Sequence, residues 1–315
     1  MTKAPDRTVP VSVLLPVHNG GRHLEAAVTS ILTQTHEDLE LLVIDDGSTD
    51  GSGEWLDALT DPRVRVLHQP NRGLVATLNR GLAEARHDLV ARMDADDVSE
   101  PRRLELQVRH LLDHPEVAAV GCCYRVVDEQ DRLVHEAHTA ADPAYQHRRL
   151  YFRNVLPHAG MTFRRDVVRA AGGYREVGPV EDYDLWVRLA VDHAVASLPQ
   201  PLLRYRASPA GISMRDNDKQ RRCLREARDR LHEARPMAPV PAGQVLREGL
   251  AHTRTYEATC TGAARDYVFD HVWLAVLLAR RRRVRPAAAL LVGALGVVAR
   301  RPTAGRALVD VVRRR

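Results

Sequence analysis

The chain has 315 residues and a formal net charge of +5, from 46 Lys and Arg against 41 Asp and Glu, with 44% apolar and 28% charged residues. This composition excludes a wholly disordered chain, and the length suits one large domain or one domain with an appendage of about 100 residues. No run reaches 18 uninterrupted apolar residues and the start MTKAPDRTVP lacks the apolar core of a secretory signal, which argues against a spanning helix and against export.

The charge is uneven. Residues 268–315 hold eleven Arg against Asp270 and Asp310, a balance of +9 that leaves −4 of the total for residues 1–267. A mildly acidic body with a strongly basic tail points to an anionic partner for the tail. Cys122, Cys123, Cys223 and Cys260 show no metal-ligand or CxxC spacing and read as reduced thiols in a cytoplasm.

In chain order, residues 11–16 (VSVLLP) are a short apolar run closed by Pro, which predicts a buried strand. Asn19-Gly20-Gly21 predicts a turn, and residues 24–32 have helical spacing. Residues 40–45 (ELLVID) predict a second buried strand, followed by the turn-rich run 46–51, in which Ser48 or Asp50 is expected to cap a helix near 55–59. A strand at 64–67, a helix at 74–85 and a strand at 89–93 follow. Pro101 opens a helix through Leu112, with Asp97 or Ser99 as its expected cap, and 117–123 is another strand. Residues 125–215 read as an α+β continuation, with strands at 159–163 and 202–206, a turn at Gly172-Gly173-Tyr174 and an amphipathic helix at 181–190. From about Asp216 the pattern is helical and rich in Ala, Leu and Arg.

Strands alternating with helices over short links predict an α/β fold, a largely parallel sheet covered by helices on both faces. Such sheets bind ligands at the carboxyl ends of their strands. Those ends read Pro16-Val17-His18-Asn19, Asp45-Asp46-Gly47-Ser48 and Asp94-Ala95-Asp96-Asp97. Two of the three are carboxylate clusters, and no GxGxxG or GxxxxGK[ST] loop accompanies them. Phosphate binding through a bridging metal is the reading that fits.

In an extended segment Asp94 and Asp96 would point to one side, and two carboxylates that close repel unless a cation lies between them. Mg²⁺ or Mn²⁺ takes a few carboxylates plus phosphate oxygens, so a metal–diphosphate site is expected there. The adjacent Asp45 and Asp46 exceed what a turn needs, and a carboxylate at that strand end can accept from a pyrimidine N–H or a ribose hydroxyl. Glu181-Asp182 opens an amphipathic helix. Two readings stand for it: favourable charge at a helix N-terminus, or a general base for a hydroxyl.

Together the segments VSVLLPVHNG, LLVIDDGSTDGS, NRG followed by Asn79, ARMDADDVSEPRRLELQ and GGYREVGPVEDYDLWVRLA resemble the family 2 glycosyltransferases. The resemblance covers roughly residues 9–215 and implies a GT-A fold, Rossmann-like, over 1–215, with a helical Arg-rich region over 216–315. It implies an inverting, metal-dependent transfer of sugar from a nucleotide-diphosphate donor, with UDP the first expectation and dTDP or GDP open. Asp46 would bind the base or ribose in a pocket shaped by Pro16, His18 and Asn19. Asp94 would lie against ribose and metal, Asp96 would hold Mg²⁺ or Mn²⁺ on the diphosphate, and Asp182 would be the catalytic base with Glu181 beside it. A His replaces the Tyr that many relatives carry before the first-strand Asn, and the QxxRW motif of processive synthases is absent, which suits addition of one or a few sugars.

Arg206, with Arg204-Tyr205 and Gly211-Ile212-Ser213, resembles a loop that closes over the donor; it either touches phosphate or is a solvated strand-end Arg. His158 is a candidate in the acceptor pocket. Trp186 is a candidate there or a core residue, and Arg72 a donor contact or a loop charge.

In the tail, residues 286–299 (PAAALLVGALGVVA) are apolar nearly all round and flanked by Arg280–283, Arg285, Arg300 and Arg301. A helix of that length reaches roughly 21 Å, short of a bilayer core. It reads either as an interfacial helix on anionic lipid, which would suit a lipid-linked hydroxyl acceptor, or as a helix packed on protein. The first reading places the protein in the cytoplasm or peripherally on the inner face of the cell membrane. No aromatic interleaving points to nucleic acid. A sugar nucleotidyltransferase would carry a Gly-rich basic loop that residues 16–30 lack, and retention of Asp46, Asp94, Asp96 and Asp182 argues against a silent scaffold.

Overall fold

The structure, a computed structural model, describes residues 9–137, 139, 143–150, 154–207 and 218–235, together with 288, 291, 292, 295 and 298. The first half alternates β1 (Val11–Val17), α1 (Leu24–Leu32), β2 (Leu39–Asp46), α2 (Ser52–Asp57), β3 (Val64–Gln69), α3 (Leu74–Glu84) and β4 (Leu89–Arg92). Then come β5 (Val98–Ser99), α4 (Arg103–Asp113), β6 (Val117–Val127), β7 (Leu133–Ala137) and α5 (Pro143–Leu150). β8 (Thr162–Arg164), α6 (Arg165–Ala170), α7 (Glu181–Asp192), β9 (Ala194–Arg206) and α8 (Asp218–Ala234) follow.

One sheet runs β3-β2-β1-β4-β8-β6-β9-β5, with β7 hung on β6. β1 to β4 are mutually parallel, as short links through helices require. β8 enters antiparallel to both β4 and β6, and β6 and β9 are parallel. The expected α/β sheet with helices on both faces is present, and its second half is mixed.

Strand alternation builds two cores. Leu14, Leu42 and Ile44 face one side with Leu78 of α3, Trp186 of α7 and Leu231 of α8. Their neighbours Val13, Leu15, Leu41 and Val43 face the other side with Ile31 of α1 and Leu104 of α4. Both faces are apolar, so the parallel strands read as unbroken apolar runs.

Several expected boundaries shift. α4 starts at Arg103, after the short β5, and not at Pro101. The run 159–163 divides into a 3-10 turn, His158–Gly160, and β8 from Thr162. β7, α5 and α6 were not expected: β7 is an edge strand with exposed Leu133 and Val134 and no inward stripe to signal it.

Helix α8 packs on α7 and puts Ala227 and Leu231 into the first core. Its Arg230 donates to Asp184 Oδ1 at 2.7 Å while Arg188 donates to Asp184 Oδ2 at 2.8 Å, so the buried Asp184 is paired from two helices. Residues 218–235 are therefore part of the packed body. Further on, Val298 packs against the first core, and Leu291, Val292 and Leu295 are exposed. The Arg runs at 280–285 and 300–301, Cys260 and Gly211-Ile212-Ser213 lie outside the described residues. Among the described residues no helix is long and apolar enough to cross a membrane.

Gly81 marks the tightest helix–sheet contact, because a Cβ there would overlap the side chain of the fully buried Leu14 on β1. Ala is normally the better helix residue by about 1 kcal/mol. Here Gly81→Ala should instead lower the unfolding free energy by about 1–3 kcal/mol in a urea titration, as overpacking does. An unchanged or raised midpoint would mean that α3 can step back from β1 at no cost.

Candidate active site

The carboxyl ends of β1, β2 and β4 open onto one cavity of ≈ 720 Å³, as a parallel sheet of this kind dictates. Pro16, His18, Asn19 and Asp46 line one end, Arg92, Asp94 and Asp96 the middle, and Asn154, His158, Glu181 and Asp182 the other. The site residues expected from the sequence meet here, except Trp186 and the Arg72 candidate, which do not line the cavity.

At the first end, the run 48–52 is a set of ties. Three successive backbone N–H groups donate into it: Asn19 to Ser48 Oγ at 2.9 Å, Gly20 to Ser52 Oγ at 3.0 Å and Gly21 to Asp50 Oδ2 at 3.0 Å. Asn19 sits at φ 54 and its Oδ1 accepts from the Thr49 N–H at 2.8 Å, a side chain returning the bond from the left-handed region that Asn tolerates. The N-cap position of α2 is Gly51, with no side-chain bond, but Asp50 Oδ1 accepts from the N–H of Ser52, the first residue of α2, at 3.0 Å, so of the two expected caps Asp50 serves the helix start and Ser48 does not.

Alternation separates the two adjacent carboxylates. Asp45 turns away from the cavity, accepting from Ser48 N–H at 3.1 Å and lying 2.9 Å from His68 Nδ1. His68 Nε2 lies 2.9 Å from Asp57, and bonds to these two carboxylates raise the imidazole pKa. Asp46 faces the cavity. Its Oδ1 accepts from Arg72 N–H at 2.8 Å and Gln69 Nε2 at 2.6 Å, and its Oδ2 from Gly73 N–H at 2.9 Å. Arg72 thus reaches Asp46 through its backbone. His18 Nδ1 lies 3.0 Å from Asp46 O, which fixes the ring as an exposed wall.

In the middle, oxygens of Asp94, Asp96 and Asp97 all lie within 4.8 Å of one another. A turn at residues 95–96 gathers them, not the side-alternation of a strand. Asp97 does not cap α4. It is buried, its Oδ1 accepts from Arg206 N–H at 2.8 Å, and its Oδ2 has no hydrogen-bond partner. Ser99 is also spent elsewhere, accepting from Gln34 at 3.2 Å, and the N-cap Arg102 makes no capping side-chain bond, its guanidinium going to Glu105. Burial and the Asp94 charge push Asp96 up to about 6, and burial with both neighbours pushes Asp97 well above the usual carboxylate range.

The buried Arg92, two residues before Asp94 and ion-paired to it, is the cation beneath this cluster. Arg206 is neither solvated nor free for phosphate. Its Nε donates to Asp96 O at 3.0 Å, Nη1 to Asp128 O at 2.8 Å and Nη2 to Asp131 Oδ1 at 2.6 Å. The side chain braces the acidic turn against the β6–β7 hairpin.

At the far end, α7 begins at Glu181. Asp182 Oδ1 accepts from Tyr183 N–H at 2.6 Å and Oδ2 from Asn154 Nδ2 at 2.7 Å. Desolvation and the Asp182 charge push Glu181 up to about 7, and desolvation raises Asp182 too, opposed by those two bonds and by Arg92. His158 Nε2 lies 2.9 Å from Tyr174 OH, and burial next to Arg92 keeps the imidazole neutral. Trp186 is fully buried among core residues, its ring 6.0 Å from His158 and 6.3 Å from Phe163, so its expected acceptor contact is corrected to packing.

The other resembling segments lie behind the cavity. Asn79 pairs twice with the Tyr174 backbone, accepting from its N–H and donating to its C=O, both at 2.9 Å. That pairing needs Gly173, whose added Cβ would sit 2.6 Å from Asn79 Oδ1. Arg103 of α4 donates to Arg92 O at 3.0 Å and to Ala159 O, and Gln107 donates to Gly160 O at 2.7 Å. Asn154 and Arg92 are the site residues the sequence reading missed; Arg92 could have been found by its place two residues before Asp94.

Residues 12–171, just over half of the chain, match the model of glycosyl transferase family 2. The chain is 33% identical over 213 residues to the amylovoran biosynthesis glycosyltransferase AmsE of Erwinia amylovora, covering 65% of this chain and 79% of that one. It is 31% identical over 182 residues to the O-antigen biosynthesis glycosyltransferase WbnJ of Escherichia coli, covering 57% and 71%. In fold it is similar to S. aureus TarS in complex with UDP-GlcNAc, at TM-score 0.60 and 14% identity over 90% of both chains. It is also similar to the mannosyltransferase PcManGT of Pyrobaculum calidifontis in complex with GDP-Man and Mn²⁺, at TM-score 0.53 and 20% identity over 93% and 88%. The α/β architecture is thus that of the GT-A transferases, and the chain belongs to glycosyl transferase family 2 and is a glycosyltransferase.

Proposed function

We propose that the protein transfers a sugar with inversion from a nucleotide-diphosphate donor to a hydroxyl acceptor, with a divalent cation, in the assembly of a surface or secreted polysaccharide. The observation that carries this reading is one cavity with Asp94 and Asp96 in its middle, Asp97 buried beside them, and Glu181 and Asp182 at its far end. The names of AmsE and WbnJ support polysaccharide assembly.

The acidic turn fits a divalent cation. Three carboxylates converge, repel one another's ionisation, and leave the buried Asp97 Oδ2 without a hydrogen-bond partner, which is the setting a cation relieves. Asp94 and Asp96 would hold Mg²⁺ or Mn²⁺, which when bound offsets charge on the departing diphosphate. Asp46 lies where it can accept from a base N–H or ribose hydroxyl, walled by His18, Asn19 and Pro16. Asp182 takes the proton from the acceptor hydroxyl as its oxygen attacks the anomeric carbon on the face opposite the diphosphate, with Glu181 and His158 lining the acceptor end. UDP is our first choice of nucleotide, supported by TarS with UDP-GlcNAc; GDP follows from PcManGT with GDP-Man, and dTDP remains in the screen.

We also propose that the tail beyond α8, residues 236–315, brings the enzyme to an anionic membrane surface on the cytoplasmic side, near a lipid-linked acceptor. The exposed Leu291, Val292 and Leu295, between Arg runs in the sequence, support this.

Three outcomes follow. Calorimetry with UDP, dTDP and GDP should give Mn²⁺-dependent binding of one nucleotide, lost in Asp96→Ala; no binding to the folded protein overturns the donor site. Asp182→Asn should lower kcat by roughly 10²–10⁴-fold while nucleotide affinity is unchanged. Full-length protein should sediment with phosphatidylglycerol vesicles and not with phosphatidylcholine vesicles. A chain ending at residue 279 that sediments equally well would remove the tail from that role.

A further inference from the structure

We infer that Asn154 is a positioning residue for Asp182: its side-chain N–H holds the carboxylate so that the remaining lone pairs face the acceptor end of the cavity. This rests on the reading of Asp182 as the base. Both residues line the cavity, and Asn154 comes from the segment before β8 whereas Asp182 opens α7.

The direction of the amide is fixed by its own partner. Asn154 Oδ1 accepts from the Leu156 N–H at 3.2 Å, so the NH₂ end must face Asp182 Oδ2, which it meets at 2.7 Å. A flipped amide would set N–H against N–H and a carbonyl oxygen against a carboxylate. Asp182 Oδ1 is meanwhile held by the Tyr183 N–H at 2.6 Å. One donor sits on each oxygen, so rotation of the carboxylate breaks two charge-assisted bonds at once. Each oxygen keeps a lone pair for a substrate proton. Helix α7 alone supplies only the backbone donor; the second must come from elsewhere in the fold, and Asn154 supplies it.

The same bond favours the ionised form, which a base requires. Asp182 is faced by Glu181 on its own helix, by Arg92 at the end of β4, and by Tyr174 from the turn after α6. Desolvation and Glu181 favour the protonated acid; Arg92, Tyr183 N–H and Asn154 favour the carboxylate. Removing Asn154 takes away a bond to the charged form, worth about one unit or more of proton affinity. The sign is an upward shift, so activity would be lost at a higher pH on the acid side.

The test is a ¹³C titration of the Asp182 carboxyl in the full chain labelled at the aspartate side-chain carbonyl. The Asp182 signal is assigned by its loss in Asp182→Asn. In Asn154→Ala its midpoint should rise by about one unit. In Asn154→Asp, which keeps the acceptor for Leu156 N–H but puts a carboxylate opposite Asp182, it should rise further. Followed as release of the nucleotide diphosphate, kcat should fall in both variants with its acid limb moved up, and donor KM should stay within twofold. Unchanged midpoints in either folded variant overturn the inference. If Asp182→Asn keeps full turnover, the base reading fails by itself, and the titration still decides whether Asn154 holds the carboxylate.

Discussion

Mutual repulsion of carboxylates is the constraint around which this site is built. Asp94, Asp96, Glu181 and Asp182 line one cavity, and Asp97 stands buried beside them. Like charges this close in a desolvated setting cannot all stay ionised without opposite charge nearby. The one cation buried in the cavity floor is Arg92 among the described lining residues, since Arg206 is turned toward the β6–β7 hairpin. Arg92 acts on Asp94, Asp96, Asp97, Glu181 and Asp182 alike, which is why the groups in the middle of the cavity and at its far end are electrostatically one system.

Holding such a cluster open requires a frame that does not collapse or relax. Much of the charged and amide chemistry outside the cavity serves that purpose. Arg103 and Gln107 of α4 grip the carbonyls of Arg92, Ala159 and Gly160, joining the strand end that carries the acidic turn to the loop that carries His158. Asn79 clamps the turn before α7, and Arg206 clamps the acidic turn from the other side. Buried polar groups of this kind fix geometry when each finds its partner, and they leave the cavity's own carboxylates free to meet a ligand.

The fold was legible because its signals are local. Apolar runs of strand length, helical spacing and turn residues place β1 to β4 with their helices, and the alternation of sides explains why Asp46 enters the cavity while Asp45 does not. What escaped was set by distance along the chain. Arg206 looked like a loose strand-end cation because Asp128 and Asp131, its partners, are some 75–78 positions away. Asn154 carries no pattern that marks it; only the packing of its segment against the start of α7 gives it a partner. The Asp94–Asp97 cluster was recognised for a reason that did not hold, since a turn and not an extended segment brings those oxygens together. Trp186 shows the reverse error, where a large aromatic one turn past a catalytic candidate is core.

The cavity is lined from both halves of the chain. Residues 12–171 contain Asp46, Arg92, Asp94 and Asp96, the end that suits a nucleotide and a metal. They also contain Asn154 and His158 of the far end, whose wall is completed by Glu181, Asp182, Tyr205 and Gln220 from later in the chain. These last four sit on α7, β9 and α8; Asp184 joins α7 to α8, and both helices pack on the sheet through the first core. The far wall of the cavity therefore depends on how α7 and α8 pack against the sheet, as much as on the side chains that line it.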